Sequence, residues 1–168
     1  MFNRNLVEEC QLVAAIIPVD SQSGANNGDW VSMKGYERLS VIVYKAAGVA
    51  GDDPVITLRQ AKDVAATEAK ALNFTRVDSK VGAQTGVGTF TTNTQAAANT
   101  YTDLVSAEAQ GIFVIDIKAE DLDVNNGYDC VQLQVPDTGS AGAQLLCGLY
   151  LLRNARFAAA ATPSAIID

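Results

Sequence analysis

The chain has 168 residues, 48% hydrophobic and 18% charged, with a formal net charge of −7 and an isoelectric point near 4.5. One domain of ordinary size with a sizeable core is expected, under a surface of small neutral residues that lose little side-chain entropy when covered. The acidic balance and singly scattered basic residues leave no phosphate-binding stripe, so neither nucleic acid nor an anionic membrane is expected as a partner.

Along the chain, short apolar or alternating runs are separated by turn residues. Gln11 to Pro18 is followed by the polar stretch Asp20 to Gly28, and Asp29 to Met33 is short. Leu39 to Ala46 is the clearest strand, because Val41, Ile42, Val43 and Tyr44 combine β-branched and aromatic residues. After the turn at Gly48 to Asp53, Pro54 can open the next strand, where its missing N–H costs no ladder bond. Val55 to Gln60 and Ala71 to Val77 alternate, and Ala61 to Lys70 between them reads as a helical turn or a strand-to-strand excursion. Ser79 to Thr100 reads as a long Gly/Thr/Asn-rich loop with one apolar anchor, Phe90, and a short strand near Val87 to Thr92; such loops commonly bind something.

Gly111 to Lys118 reads as a core strand, and Ala119 to Asn126 as a turn or short helix. Tyr128 to Val135 has the period-two pattern of a half-buried antiparallel strand. After a turn at Pro136 to Gly142, Ala143 to Leu152 is apolar on both faces, which predicts a central strand or one covered on both sides. About eight strands with turns between them predict an all-β antiparallel sandwich, jelly-roll-like. One domain spans 1–168, with an N-terminal arm at 1–10 and a C-terminal arm at 158–168. Phe2, Leu6, Phe157, Ile166 and Ile167 are the apolar residues expected to anchor those arms on neighbouring subunits.

The residues argue against catalysis. The chain has no histidine, which removes the commonest general base near neutral pH and the pairs that activate Ser or Cys. Cys10, Cys130 and Cys147 have no C-x-x-C spacing and read as buried free thiols, with Cys130 and Cys147 able to pair only if their strands are neighbours. Gly82 to Gly88 lacks the Lys-Ser/Thr of a phosphate loop and the G-x-G-x-x-G spacing, and Thr138 to Gly142 is a turn with no histidine to serve it. Asp121 to Gly127 alternates oxygen ligands, but its Gly falls one place late for an EF-hand and Gln132 stands where Glu belongs, so a solvated turn is expected. Asp52-Asp53 reads as a polar hairpin tip, and Glu8-Glu9 as solvated. Aromatics are 7% of the chain, too few for a sugar-stacking site. No enzyme activity, cofactor, metal or small-molecule substrate is expected. Residues 1–5 lack the apolar stretch of a signal peptide, and synthesis in a cytoplasm is expected.

The block from Gly28 to Gly48, containing Gly28-Asp29-Trp30-Val31 and Tyr36-x-x-Leu39-x-Val41-x-Val43, followed by Ile56-Thr57-Leu58-x-Gln60-Ala61, resembles small virion structural proteins of tailed bacteriophages. The likeness spans most of residues 10–157 and is one of sequence style. It implies a head decoration or cement protein in the virion, assembled in the host cytoplasm, commonly oligomeric, whose partners are the major capsid protein and copies of itself. A head–tail or tail component would share the composition, and a host- or carbohydrate-binding module is a further alternative.

Overall fold

A computed structural model describes residues 5–104, 109–156 and 164. A four-residue helix α1 (Leu6–Glu9) leads into β1 (Cys10–Asp20). Then come β2 (Asn26–Asn27), β3 (Val31–Ser32), β4 (Tyr36–Lys45), β5 (Val55–Ala61), β6 (Lys70–Ala71), β7 (Phe74–Val81) and the short helix α2 (Gln84–Val87). The chain continues through β8 (Thr91–Ala98), β9 (Thr100–Thr102), β10 (Gly111–Lys118), β11 (Cys130–Val135) and β12 (Leu145–Ala155).

These strands form two antiparallel sheets. One runs β1-β12-β4-β10-β7-β8, and the other β2-β11-β5-β6, with β3 beside β11 and β9 beside β5. Both β2 and β3 pair with β11 and act as one interrupted strand. With β7 to β9 set aside as an insertion, the first strand pairs with the last, the last with the third and the third with the sixth. In the facing sheet, the second pairs with the seventh, the seventh with the fourth and the fourth with the fifth. That is the order of a jelly roll, as the strand pattern predicts. The insertion adds a hairpin, β7–β8, to the outer side of β10.

The core lies between the sheets because inward positions alternate with outward ones along each strand. Leu39, Val41 and Val43 of β4, Phe113, Ile115 and Ile117 of β10, and Leu146, Tyr150 and Leu152 of β12 face Ile56, Leu58, Val131, Leu133 and Val135 of the second sheet. Burying each such side chain contributes roughly 1.5–3 kcal/mol relative to leaving it exposed. Gly148 lets the sheets meet: a Cβ there would stand 2.5 Å from Leu133 Cδ2 and 3.4 Å from Ala15 Cβ. The buried Tyr150 hydroxyl accepts the Leu133 N–H at 2.6 Å and donates to the Asp29 carbonyl at 3.0 Å. Burial pushes its phenol well above the ordinary value.

Two local expectations change. Ser79 to Thr100 is not a loop: β7 runs on to Val81, a helical turn follows, and β8 returns along β7. Polar side chains stabilise that hairpin in place of apolar alternation. Asn93 Nδ2 donates to Ser79 Oγ at 2.9 Å, and Thr92 Oγ1 donates to Asp78 Oδ1 at 2.6 Å. The Arg76 guanidinium, bonded to Asp78, holds that carboxyl below its usual range. Asp52 is not a hairpin tip but buried, and its Oδ2 accepts the N–H groups of Ala141 and Gly142 at 2.8 and 3.0 Å. It thereby ties the β4–β5 turn to the β11–β12 turn. Of the two readings left open for residues 61–70, the strand-to-strand excursion is the one the structure shows, with Ala66 and Glu68 at positive φ.

Because Tyr150 joins the sheets through two buried bonds, Tyr150→Phe is expected to leave the Leu133 N–H without a partner and to lower stability by about 1–3 kcal/mol. Urea unfolding followed by tyrosine and tryptophan fluorescence measures this, and a loss under about 0.5 kcal/mol would contradict the bridging role.

Candidate interaction surface

The strand β12 lies between β1 and β4, so it is central, as its apolar sequence predicts. Its even-numbered residues from Leu146 to Leu152 enter the core, which turns Leu145, Cys147, Leu149 and Leu151 to the opposite face. That face is not covered among the described residues: Leu145 is 54% exposed and Leu149 36%. The pairing register extends it sideways. Leu149 stands opposite Ala14 on β1 and Ile42 on β4, Leu151 opposite Leu12, and Cys147 opposite Tyr44. On β10, Val114 continues the row through Ile42, and Ile112 the row through Tyr44.

The result is a four-strand apolar face without a charged side chain. Leu12 and Tyr44 are 52% and 50% exposed on it. Four strands about 4.8 Å apart, with two to four outward apolar positions along each, give roughly 350 Å² in projection, a size at which an apolar patch on a soluble protein is commonly an interaction site. Polar groups mark its limits. At one end Arg153 Nη2 donates to Asp116 Oδ1 at 3.0 Å and to Ser40 Oγ at 2.8 Å, and Arg38 and Lys118 continue the row. Beyond β10, Lys80 and Asp78 of β7 replace the apolar residues. At the other end the face sinks into an open groove lined by Pro18, Val19, Tyr44, Ala46, Leu145, Leu146 and Cys147, with Asp20 at its rim. Two register shifts in β1, around Ala15 and around Ile17-Pro18, bend the edge strand there and leave Ile17 72% exposed.

Of the residues expected from sequence to anchor contacts, Leu6 opens α1 and is 60% exposed. Phe2, Phe157, Ile166 and Ile167 lie outside the described residues, as do residues 1–4 of the N-terminal arm and all of the C-terminal arm except residue 164. The outward residues of β12 escaped selection because a two-faced apolar strand reads as fully buried. The signal was the same alternation, Leu145-x-Cys147-x-Leu149-x-Leu151, but only the lack of a layer above it among the described residues leaves the face open.

The remaining polar candidates are engaged in holding the fold. The Asp123 carboxylate pairs with Lys70 and accepts both Asn126 Nδ2 contacts at 2.9 Å, and the hydrogen bond from the Lys70 ammonium holds that carboxyl below its usual range. Asp121 Oδ2 accepts the Lys118 N–H at 2.8 Å. Among the described residues, no group of three or more Cys, Asp or Glu side chains is arranged to hold a metal ion. None of the three cysteines is in a disulfide; Cys130 sits in the second sheet and Cys147 in the first, so their strands are not neighbours.

No protein-family model and no curated protein matches the chain. Among solved structures, the crystal structure of the SPBc2 prophage-derived protein YomS is similar, with a TM-score of 0.46 and 12% identity, over 85% of this chain and 93% of that one.

The geometry separates the thiols. Cys147 and Cys10 are partly exposed on the outward face, whereas Cys130 is fully buried. Titration of the native protein with an aromatic disulfide reagent is expected to modify Cys10 and Cys147 and to reach Cys130 only after unfolding. Prompt reaction of Cys130 in the native state would contradict this placement.

Proposed function

We propose that this chain is a structural component of a bacteriophage virion, a decoration or cement protein that binds the capsid shell and works by binding alone. The observation that carries this reading is the uncharged apolar face across β1, β12, β4 and β10, with Leu12, Tyr44, Leu145 and Leu149 exposed on a rigid sheet. A flat apolar face held by a sandwich core needs no rearrangement to dock, so little ordering entropy opposes each contact. On a symmetric shell, many such contacts act together, and a modest affinity per copy suffices. The resemblance of Gly28 to Ala61 to small virion proteins supports the same reading, as does the lack of any histidine.

Purified protein mixed with undecorated heads of the phage that encodes it is expected to co-sediment saturably. The double variant Leu145→Asp/Leu149→Asp places two carboxylates on the face, at positions 54% and 36% exposed. It is expected to weaken binding at least tenfold, about 1.4 kcal/mol, while a cooperative thermal transition shows that the variant is folded. Absence of the protein from head density in electron micrographs, or full binding by the double variant, would overturn the reading.

A further inference from the structure

The polar end of the apolar face gathers positive charge in a chain whose net charge is −7. The register sets Arg153 of β12 directly opposite Arg38 of β4, and Arg38 directly opposite Lys118 of β10. Three cations therefore stand side by side on adjacent strands about 4.8 Å apart. Like charges directly opposite one another destabilise a sheet, so this row works against the fold. The next row along the strands, with Leu12 and Leu151, already belongs to the apolar face, and the cations border it directly.

Neighbouring carboxylates offset only the two outer cations. Asp116 accepts from Arg153 at 3.0 Å, and Glu120 pairs with Lys118 at 3.1 Å. Arg38, between them, is exposed and makes no ion pair or side-chain hydrogen bond among the described residues. Arg156 lines the same groove as Glu37, Arg38, Lys118 and Glu120. Its Nε donates to the Tyr36 carbonyl at 3.3 Å, and no described carboxylate pairs with it. Glu37 accepts from Asn154 Nδ2 at 3.5 Å instead. The groove at the opposite end of the face holds one charged residue, Asp20, at its rim. The face is thus apolar along its length and cationic at one end only.

An uncompensated arginine between two cations costs stability unless an anion outside the chain meets it. A guanidinium presents paired N–H donors that match a carboxylate in bidentate fashion. Phosphate offers the same geometry, but a nucleic acid is repelled by the net charge of −7. We infer that the surface on which this face docks carries carboxylates at the border of an apolar patch, and that Arg38 and Arg156 bind them and fix the orientation of the chain. This partner chemistry rests on the apolar face being the shell contact. Complementary charge at one end steers approach and penalises the reversed orientation, which an apolar face alone would accept.

Co-sedimentation with undecorated heads, from about 0.05 M to about 0.5 M salt, tests the charge because exposed pairs are screened over that range. Wild-type affinity is expected to fall as salt rises. At low salt Arg38→Gln is expected to bind more weakly and Arg38→Glu at least tenfold more weakly, and all three should converge at high salt. Thermal midpoints of both variants are expected to stay level or rise, since a like charge has left the row, whereas loss of a residue that held the fold would lower them. Binding that ignores salt, full binding by Arg38→Glu, or a lower midpoint in Arg38→Gln would overturn the inference. So would retention of a short DNA duplex by the wild type that Arg38→Glu abolishes, which assigns the row to phosphate. Those outcomes leave shell binding through the apolar face standing as long as Leu145→Asp/Leu149→Asp loses it. A wild type that binds no heads at any salt overturns both.

Discussion

The hydroxyl of Tyr150 receives the Leu133 N–H and gives its proton to the Asp29 carbonyl, both across the space between the sheets. It can do so only because its neighbour Gly148 lets Leu133 come within contact distance of β12. This pair of residues sets the spacing of the sandwich at its centre. A hydroxyl buried without partners would be costly, so the bridge also locks the register of β12 against β11. With Tyr150 inward, the period of two leaves no choice for Leu149 and Leu151, which must point outward.

The apolar outer face is therefore a consequence of how the core is closed. A one-residue slip of β12 would bury Leu149 and expose Tyr150, trading two satisfied buried hydrogen bonds for none. The chain keeps leucines on the outer side all the same, and their neighbours on β1, β4 and β10 are apolar in the same rows. Polar groups that could have interrupted the patch are drawn to its end, where Arg153, Asp116 and Ser40 satisfy one another. Asp52 and Asp20 act in a similar way at the loops, where their carboxylates accept backbone N–H groups of the β11–β12 turn. Carboxylates that a sequence reading treats as solvated tips are here part of the loop framework.

The hairpin β7–β8 shows a different balance. Its strands are joined by Asn, Thr, Ser and Asp side chains more than by apolar packing, and most of β8 is exposed. An eight-stranded sandwich closes without it, so the insertion adds surface rather than core. The β-branched threonines favour extended backbone on their own. What they lack is an apolar stripe to announce a strand, which is why a composition rich in Gly, Thr and Asn resembles a loop.

Strand content, the central position of β12, the core strand at Gly111, the strand at Tyr128 and the jelly-roll class were legible from alternation, because inward apolar residues repeat every second position; that β11 is buried on both faces rather than half-buried was not. The absence of an imidazole base is equally a property of the sequence. Three features were decided only by folding. Which of the two apolar faces of β12 is covered depends on where the second sheet lies. Whether Asp52 meets solvent or the N–H groups of Ala141 and Gly142 depends on two turns nearly ninety residues apart in sequence coming together. Whether Thr91 to Ala98 is loop or edge strand depends on β7 offering a partner. Each rests on contacts between distant segments, and local residue preference does not encode them.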